Sequence, residues 1–126
     1  MLDDQFDWVK EFFACSPNAV FERIRHQVEK DVEKRNALRS PHATYTFVVQ
    51  ANGDSFTVLI ERNLDHRSVT FYLTKTGIIV KDEKDTTILD ASFTLNGKGE
   101  CRPEIGGKEC EFWQLRMNAL KQLFTV

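Results

Sequence analysis

The tripeptide Asp65-His66-Arg67 is the one place in the chain where a carboxylate, an imidazole and a guanidinium follow one another. Such groups support acid–base or nucleophilic catalysis only when a Ser or Cys side chain comes within hydrogen-bond reach. Closeness in the sequence does not supply that geometry. Because Asp side chains commonly accept hydrogen bonds from backbone N–H groups in turns, we interpret the tripeptide as a polar turn and assign no catalytic residue.

A glycine-rich segment, residues 96–108, precedes the last expected helix and invites a comparison with phosphate-binding loops. However, Gly97-Lys98-Gly99 lacks the spacing of a dinucleotide-binding fingerprint, and Gly106-Gly107-Lys108 lacks the rest of a P-loop. Glycines in turns explain the segment equally well, so the sequence favours turns over an anion site.

The residue types that could bind a metal are three histidines and three cysteines: His26, His42, His66, Cys15, Cys101 and Cys110. None has a neighbour at His-x-x-x-His or Cys-x-x-Cys spacing, so we predict neither a metal site nor a cofactor. In a reducing cytosol the three cysteines are expected to be free thiols. A disulfide between Cys101 and Cys110, which bracket a turn, is the alternative.

Composition bounds the class of protein and its partners. The 126 residues are 41% hydrophobic and 29% charged, with a net charge of −2 and a pI near 5.9. The basic residues of the longest expected helix are interleaved with acidic ones, and no apolar run approaches the ~20 residues that cross a bilayer. We therefore expect neither nucleic acid nor a membrane as a partner. Since residues 1–4 lack the basic start of a secretion signal, we expect a cytoplasmic location.

Residues 44–95 alternate between apolar and polar side chains, which is typical of antiparallel strands. The clearest signal is Asn52-Gly53-Asp54 between two alternating runs, because Asn and Gly both tolerate the positive φ of a tight hairpin. Three further strands are expected in residues 67–74, from Ile78 onwards and in 86–95, with a short sixth strand in 100–105. Short connections predict a meander, in which each strand pairs with the next.

Three helices are expected outside the sheet. The first covers residues 4–14, and Asp3 or Asp4 is expected to cap its start. Aromatic side chains on both flanks of its apolar stripe indicate that the helix packs against the rest of the protein. The second begins at Ser16-Pro17, a hydroxyl cap followed by proline, and ends near Arg39. It carries a narrow apolar stripe: Val20, Phe21, Ile24, Val28 and Val32.

The third helix is expected from about Lys108 to Phe124. Its predicted buried stripe is Trp113, Met117, Leu120 and Phe124, widened by Phe112 and Leu123. A face this broad is typical of a deeply packed helix.

The strand alternation leaves a second sheet face that is rich in threonine and contains scattered aliphatic side chains. Its members are Thr44, Thr46, Val48, Thr57, Leu59, Thr70, Tyr72, Ile79, Ile88 and Thr94. Lys and Glu are the usual residues on a freely solvated sheet face, so this composition indicates a half-buried surface. A homodimer contact, a ligand face and plain solvent exposure of residues with high β-propensity are the three interpretations.

Together these elements predict a single α+β domain covering residues 1–126. It is a two-layer sandwich with two N-terminal helices and one C-terminal helix on one face of a five- or six-stranded antiparallel meander. This order of elements is similar to helix-grip and cystatin-like arrangements, in which a curved sheet wraps a helix. No motif assigns the chain to a family.

Two functions fit this fold. The first is a non-catalytic binding protein, a homodimer or a partner of another protein, that uses the sheet face through Thr46, Val48, Thr57, Leu59, Thr70 and Tyr72. The second is a small-molecule binder or enzyme with a pocket between sheet and helices for an apolar ligand. Phe and Trp side chains would line that pocket, and Tyr72, Arg62, His66 or Arg67 would supply its polar groups.

Overall fold

A single antiparallel sheet forms one layer of the protein in a computed structural model, which describes residues 4–126. Seven strands lie side by side in chain order: β1 Thr46–Asn52, β2 Ser55–Glu61, β3 Ser68–Leu73, β4 Gly77–Asp82, β5 Thr87–Leu95, β6 Cys101–Ile105 and β7 Lys108–Glu109. The helices are α1 Trp8–Ala14, α2 Pro17–Ala37 and α3 Phe112–Phe124. The predicted α+β class and meander are confirmed. The sheet gains one strand because Gly106-Gly107 turns the chain back to form the two-residue β7.

The first hairpin forms at the predicted position, but Asn52 ends β1 and has no positive φ, so only Gly53 of the Asn-Gly pair has the expected backbone conformation. Asn52 pairs with Ser55 across a two-residue turn in which Gly53 has a φ of +63°. A second glycine has a different task, because a Cβ atom on Gly77 would overlap the carbonyl oxygen of Ala91 on the neighbouring strand. Glycine there allows β4 and β5 to approach each other.

Ile88 does not lie on the outer face of the sheet, the threonine-rich face to which the sequence assigned it. The pairing of β4 with β5 shifts between Val80 and Lys81, which leaves Ile88 as the extra residue of a β-bulge. Ile88 consequently lines a cleft beside α3 together with Val69 and Leu123. A bulge breaks the alternation of side chains, and the sequence pattern assumes an unbroken strand.

The core lies between the inner face of the sheet and two helices, α2 and α3. All five residues of the predicted α2 stripe are buried. Phe56 stacks on Phe71 at a centroid distance of 4.5 Å, and Phe21 of α2 lies 5.3 Å from Phe56. These aromatic contacts join the centre of α2 to the centre of the sheet.

The ends of α2 are fixed by named contacts. Ser16 caps its start as predicted, where the hydroxyl accepts a hydrogen bond from Ala19 N. The helix ends at Ala37, two residues before the predicted end. Asn36 explains this position, because its side chain donates to Phe47 O and accepts from Phe47 N, both at 2.9 Å. The amide thereby ties the end of α2 to the edge strand β1.

Helix α1 begins later than predicted. It starts at Trp8, and the Asp7 carboxylate caps it by accepting from Lys10 N at 3.0 Å. The expected caps were Asp3, which lies outside the described residues, and Asp4, which precedes the helix by several residues. Four of its seven residues turn out to be large exposed side chains, so the predicted burial of this helix is wrong: Trp8, Val9, Phe12 and Phe13.

Helix α3 also differs from its prediction. It begins at Phe112, and the buried residues are Leu115, Ala119, Leu120 and Leu123. Trp113 and Met117, which were expected inside, are exposed. The helix is rotated about its axis relative to the predicted orientation. Leu115 and Ala119 consequently pack on the sheet in place of Trp113 and Met117.

A disulfide joins Cys15 to Cys101 across 86 residues of sequence, with a Cα–Cα distance of 5.5 Å. The prediction of free thiols is therefore wrong for these two residues, and Cys110 is the free cysteine. The bond links the α1–α2 junction to the start of β6. No sequence spacing pointed to this pair, because the tertiary fold brings the two segments together.

Replacing both Cys15 and Cys101 by Ser is expected to lower the free energy of unfolding by roughly 2–4.5 kcal/mol. A cross-link across 86 residues removes that much chain entropy from the unfolded state. Urea denaturation measures the change, and adding a reductant to the wild-type protein should reproduce it. Cys110→Ser is the control and should unfold close to the wild-type midpoint. Equal midpoints for the oxidised and reduced wild type would contradict the expectation.

Candidate functional site

A groove runs along the outer surface of the helical layer between α2 and α3. It consists of two adjoining cavities of about 410 and 450 Å³. The N-terminal halves of both helices line the first cavity, and the C-terminal halves line the second, so the helices run in the same direction. From α2 and its C-cap the lining residues are Val20, Arg23, Ile24, Gln27, Asp31, Lys34, Arg35 and Leu38. From α3 and its N-cap they are Glu111, Phe112, Trp113, Arg116, Met117, Leu120, Lys121 and Phe124. We call this surface the α2–α3 groove.

The groove has an apolar wall that is open to solvent. Trp113 is 54% exposed, Met117 is 46% exposed and Leu38 is 79% exposed. Trp113 lines both cavities, so its indole ring lies where the two meet. A contiguous exposed surface of large apolar side chains is typical of an interaction site.

The groove is also basic. Five basic and two acidic residues line it, which gives a net charge of +3 in a chain whose overall net charge is −2. Lys34 and Lys121 are exposed at the end nearest Leu38. The local charge favours a partner that combines an apolar surface with carboxylates.

Two arginines of the groove are held in fixed positions. Arg116 donates a hydrogen bond from Nε to Asp31 Oδ2 at 2.7 Å, and this ion pair bridges the helices where the cavities meet. Arg35 donates to Phe124 O at 3.0 Å and to the Tyr45 hydroxyl at 3.1 Å. Since both of these guanidinium groups already have protein partners, the exposed basic residues Arg23, Lys34 and Lys121 are the groups best placed to meet a carboxylate from outside.

Helix α1 carries a second exposed apolar surface, which we call the α1 aromatic patch: Trp8, Val9, Phe12 and Phe13. Trp8 is 61% exposed and Phe13 is 69% exposed. The rings of Trp8 and Phe12 meet edge to face at 6.4 Å. Phe12 and Phe13 also line a cleft of about 600 Å³ beside Phe93 of β5.

The outer face of the sheet holds six of the predicted site residues. Five are half-buried: Thr46, Val48, Thr57, Leu59 and Thr70. Tyr72 is 39% exposed, and the Lys81 ammonium lies 5.9 Å from the centre of its ring. The hydroxyl groups of Thr57 and Thr70 hydrogen-bond each other at 2.8 Å across the two strands.

The outer face of the sheet carries more charged side chains than the sequence analysis assigned to it, and they lie on one half of the face. By strand alternation the half formed by β4, β5 and β6 presents Lys81, Asp90, Arg102 and Glu104, whereas the threonines cluster on β1, β2 and β3. The apolar part of the face is therefore restricted to the region around Leu59 and Tyr72.

The remaining predicted residues, Arg62, His66 and Arg67, lie in or beside the β2–β3 connection. His66 and Arg67 line a cleft of about 540 Å³ against α3, and Arg62 and His66 line another of about 780 Å³. Tyr72 lies near the opposite end of β3, so the structure does not bring it together with these three residues.

Asp65 and Arg67 form the turn that the sequence predicted. The Asp65 carboxylate accepts hydrogen bonds from Arg67 N, Nε and Nη2, each at 3.1 Å. These bonds hold the pKa of the Asp65 carboxyl below its usual range, with the guanidinium hydrogen bond as the main cause. Because the carboxylate is occupied by Arg67, it orders the turn.

The glycine-rich segment likewise forms turns. Asn96 Oδ1 accepts from Lys98 N at 2.9 Å and from Glu100 N at 3.0 Å. At the start of α3, Glu111 occupies the N-cap position, and its backbone N–H donates to Gln114 Oε1 at 2.8 Å. A carboxylate at this position opposes the binding of an anion to the helix terminus.

Within residues 4–126, no cluster of three His, Cys, Asp or Glu side chains is arranged to hold a metal ion. The helices of this described part are too short or too polar to cross a membrane. The free thiol of Cys110 has a raised pKa, first because of burial and then because of the neighbouring Glu111 and Glu109. A raised pKa keeps the thiol protonated at neutral pH and lowers its reactivity.

The fold and the groove define the molecule as an α+β protein with an open, basic and apolar helical surface. Comparisons of the chain with protein-family models, with curated proteins and with solved structures found no match. The groove itself was missed by sequence reasoning. A signal that could have revealed the groove is the broad apolar face of both α1 and α3, because a third and a first helix with wide apolar faces compete for the same sheet surface as α2.

The rotation of α3 can be tested with two substitutions on the same helix. Leu115→Ala should lower the free energy of unfolding by about 2–5 kcal/mol, because it opens a cavity in the core. Trp113→Ala removes a larger side chain from an exposed position and should cost less than about 1 kcal/mol. Urea denaturation of both variants measures the difference. A larger loss for Trp113→Ala than for Leu115→Ala would contradict the observed orientation of α3.

The Asp65–Arg67 pair gives a pH-dependent signal. In an NMR titration the Asp65 carboxyl is expected to titrate below the ordinary range of aspartates, because Arg67 stabilises the charged form. The stabilisation is present above the ordinary carboxyl pKa and is lost as the pH falls through the lowered value. Arg67→Gln should raise the pKa of Asp65 clearly, whereas the control Arg62→Gln should raise it less. A titration unaffected by Arg67→Gln would show that the pair does not form.

Proposed function

We propose that this protein is a non-catalytic binding module that docks an acidic, aromatic-bearing helix of a protein partner in the α2–α3 groove. The observation that carries the proposal is the exposure of Trp113 and Met117 on a helix whose other face is fully packed. The core of the single chain is formed by the other apolar face of α3, which carries Leu115 and Ala119. Packing within the chain therefore does not explain why Trp113 and Met117 are large and apolar.

The shape of the groove favours a helix as the occupant. Its lining extends from Val20 to Leu38 of α2, a length of roughly 27 Å at 1.5 Å per residue. Amphipathic helices commonly bind in such grooves through apolar residues spaced three and four apart. The two cavities beside Trp113 provide room for bulky anchors of that spacing.

Charge favours an acidic partner. With a net charge of +3 in the groove, carboxylates along one edge of the incoming helix would meet Lys34 and Lys121. Exposed ion pairs contribute about 0.2–1 kcal/mol each and mainly select among partners. Apolar contact with Trp113, Met117 and Leu38 would supply most of the affinity.

Two other proposals stay open. The sheet face around Leu59 and Tyr72 remains the predicted surface for a homodimer, although fewer large apolar side chains are exposed there than on the helices. The cleft beside Phe12, Phe13 and Phe93 has the size and aromatic lining that the small-ligand alternative requires. That cleft lies away from Arg62, His66 and Arg67, the polar groups expected for it.

The compartment is part of the proposal. The sequence predicted a cytoplasmic protein because residues 1–4 lack the basic start of a secretion signal, and it predicted free thiols from that location. The bond between Cys15 and Cys101 instead favours an oxidising compartment, because cytosolic proteins seldom keep structural disulfides.

The groove can be tested with a pair of synthetic helical peptides. One carries a stripe of Leu and Phe at helical spacing with Glu elsewhere, and the matched peptide has every Glu replaced by Lys. The acidic peptide is expected to bind the protein in a fluorescence anisotropy titration, and the basic peptide should bind far more weakly. Added salt should weaken binding of the acidic peptide.

A charge-reversed groove locates the binding site. Lys34→Glu/Lys121→Glu should weaken binding of the acidic peptide by roughly tenfold, since two exposed ion pairs become repulsive. Lys30→Glu/Lys98→Glu makes the same change of charge at exposed positions outside the groove and should leave affinity unchanged. Equal affinity for both peptides, or an acidic peptide insensitive to the groove variant, would contradict the proposal.

A further inference from the structure

We propose that the partner helix is supplied by a second copy of this chain: α1 of one copy docks in the α2–α3 groove of another. The inference rests on the proposed function of the groove and names its occupant. The chain itself contains a helix with the required chemistry, and in the single chain the aromatic side chains of that helix are exposed.

The charges of the two surfaces are complementary. Residues 4–14 contain Asp4, Asp7, Glu11 and one base, Lys10, so this segment has a net charge of −2. The groove has a net charge of +3. In a chain that is slightly acidic overall, the acidic α1 segment and the basic groove are a matched pair.

The apolar surfaces are also matched in spacing and length. Trp8 and Phe12 are four residues apart and project from one side of α1, with Val9 and Phe13 beside them. A helix of seven residues is roughly 10 Å long, so α1 can lie within one half of the groove. Trp113 and Met117 are the exposed apolar residues it would cover.

The connection to α2 holds α1 away from the groove of its own chain. The helix ends at Ala14, and the next residue, Cys15, is buried and bonded to Cys101 of β6. Phe12 and Phe13 lie beside Phe93 of β5. The residues that line the two cavities come from α2, α3 and their caps, so the α1 that fills the groove must belong to another copy.

The area is sufficient for a specific dimer. An aromatic side chain has about 150–250 Å² of surface. Trp8, Phe12 and Phe13 of α1 are each more than half exposed. One α1 therefore offers roughly 300–400 Å² of apolar surface. Two reciprocal contacts, counted on both partners, bury roughly 1,200–1,600 Å², which falls in the range of specific interfaces.

Association should be visible in the intrinsic fluorescence of the wild-type protein. The chain has two tryptophans, Trp8 and Trp113, and the proposed contact covers both. At high concentration we expect a dimer by analytical ultracentrifugation and a blue-shifted emission. Dilution should shift the emission to the red in parallel with dissociation. A monomer at high concentration, with red emission throughout, would overturn the inference.

Two charge-reversed variants test which surfaces meet. Lys34→Glu/Lys121→Glu makes the groove acidic, and Asp4→Lys/Glu11→Lys makes the α1 segment basic. Asp7 is left intact because it caps α1. Each variant alone should dissociate at a protein concentration at least tenfold higher than the wild type does. Mixing the two should restore the dimer, because both contacts of the mixed pair are then complementary.

The controls separate this inference from the function on which it rests. Lys30→Glu/Lys98→Glu should dimerise as the wild type does, and circular dichroism should show that every variant is folded. A dimer that survives both charge reversals, or variants that fail to rescue each other, would overturn docking of α1. If the acidic synthetic peptide still binds the groove in that case, the proposed function stands and the occupant is another protein.

Discussion

The packing of α2 and α3 on the inner face of the sheet forms the core on which the rest of the structure depends. Phe56 and Phe71 stack at the centre of that face, and Phe21 of α2 packs on them. Leu115, Ala119 and Leu123 of α3 cover the remaining part. Because α2 and α3 cover the centre of the sheet, α1 lies to one side, where Phe12 and Phe13 line a cleft with Phe93 of β5. The aromatic side chains of α1 stay exposed, and α3 exposes Trp113 and Met117 because its orientation turns Leu115 and Ala119 toward the core.

The contacts around this core hold the exposed surfaces in place. Asn36 ties the end of α2 to β1, and the Cys15–Cys101 bond ties its start to β6. Arg116 and Asp31 bridge α2 to α3 in the middle of the groove. Because α2 is held at both ends and bridged to α3 in the middle, we expect the groove to change little when a partner binds. Rigid surfaces lose less entropy on binding than mobile ones, which favours an interaction site here.

Chemistry-bearing residues of the chain mostly have structural roles. The Asp65 carboxylate is occupied by Arg67, Asn96 orders the glycine-rich turn, and Cys15 and Cys101 cross-link the layers. The helical layer, by contrast, exposes a set of large apolar residues beside exposed basic residues of the groove, which include Lys34 and Lys121. That distribution favours recognition of another protein surface over chemistry on a small substrate.

The sequence by itself determined the elements whose signals are local. The Asn52-Gly53 hairpin, the Ser16-Pro17 start of α2 and the buried α2 stripe need only short-range φ/ψ preferences and helical periodicity. The rotation of α3, the bulge at Ile88 and the Cys15–Cys101 bond were decided by the tertiary structure. Each depends on which distant residues meet, and periodicity along one segment carries no information about its neighbours in space. The same reason explains the candidate site: the sequence predicted burial for the apolar faces of α1 and α3, and only packing decided which part of them stayed exposed.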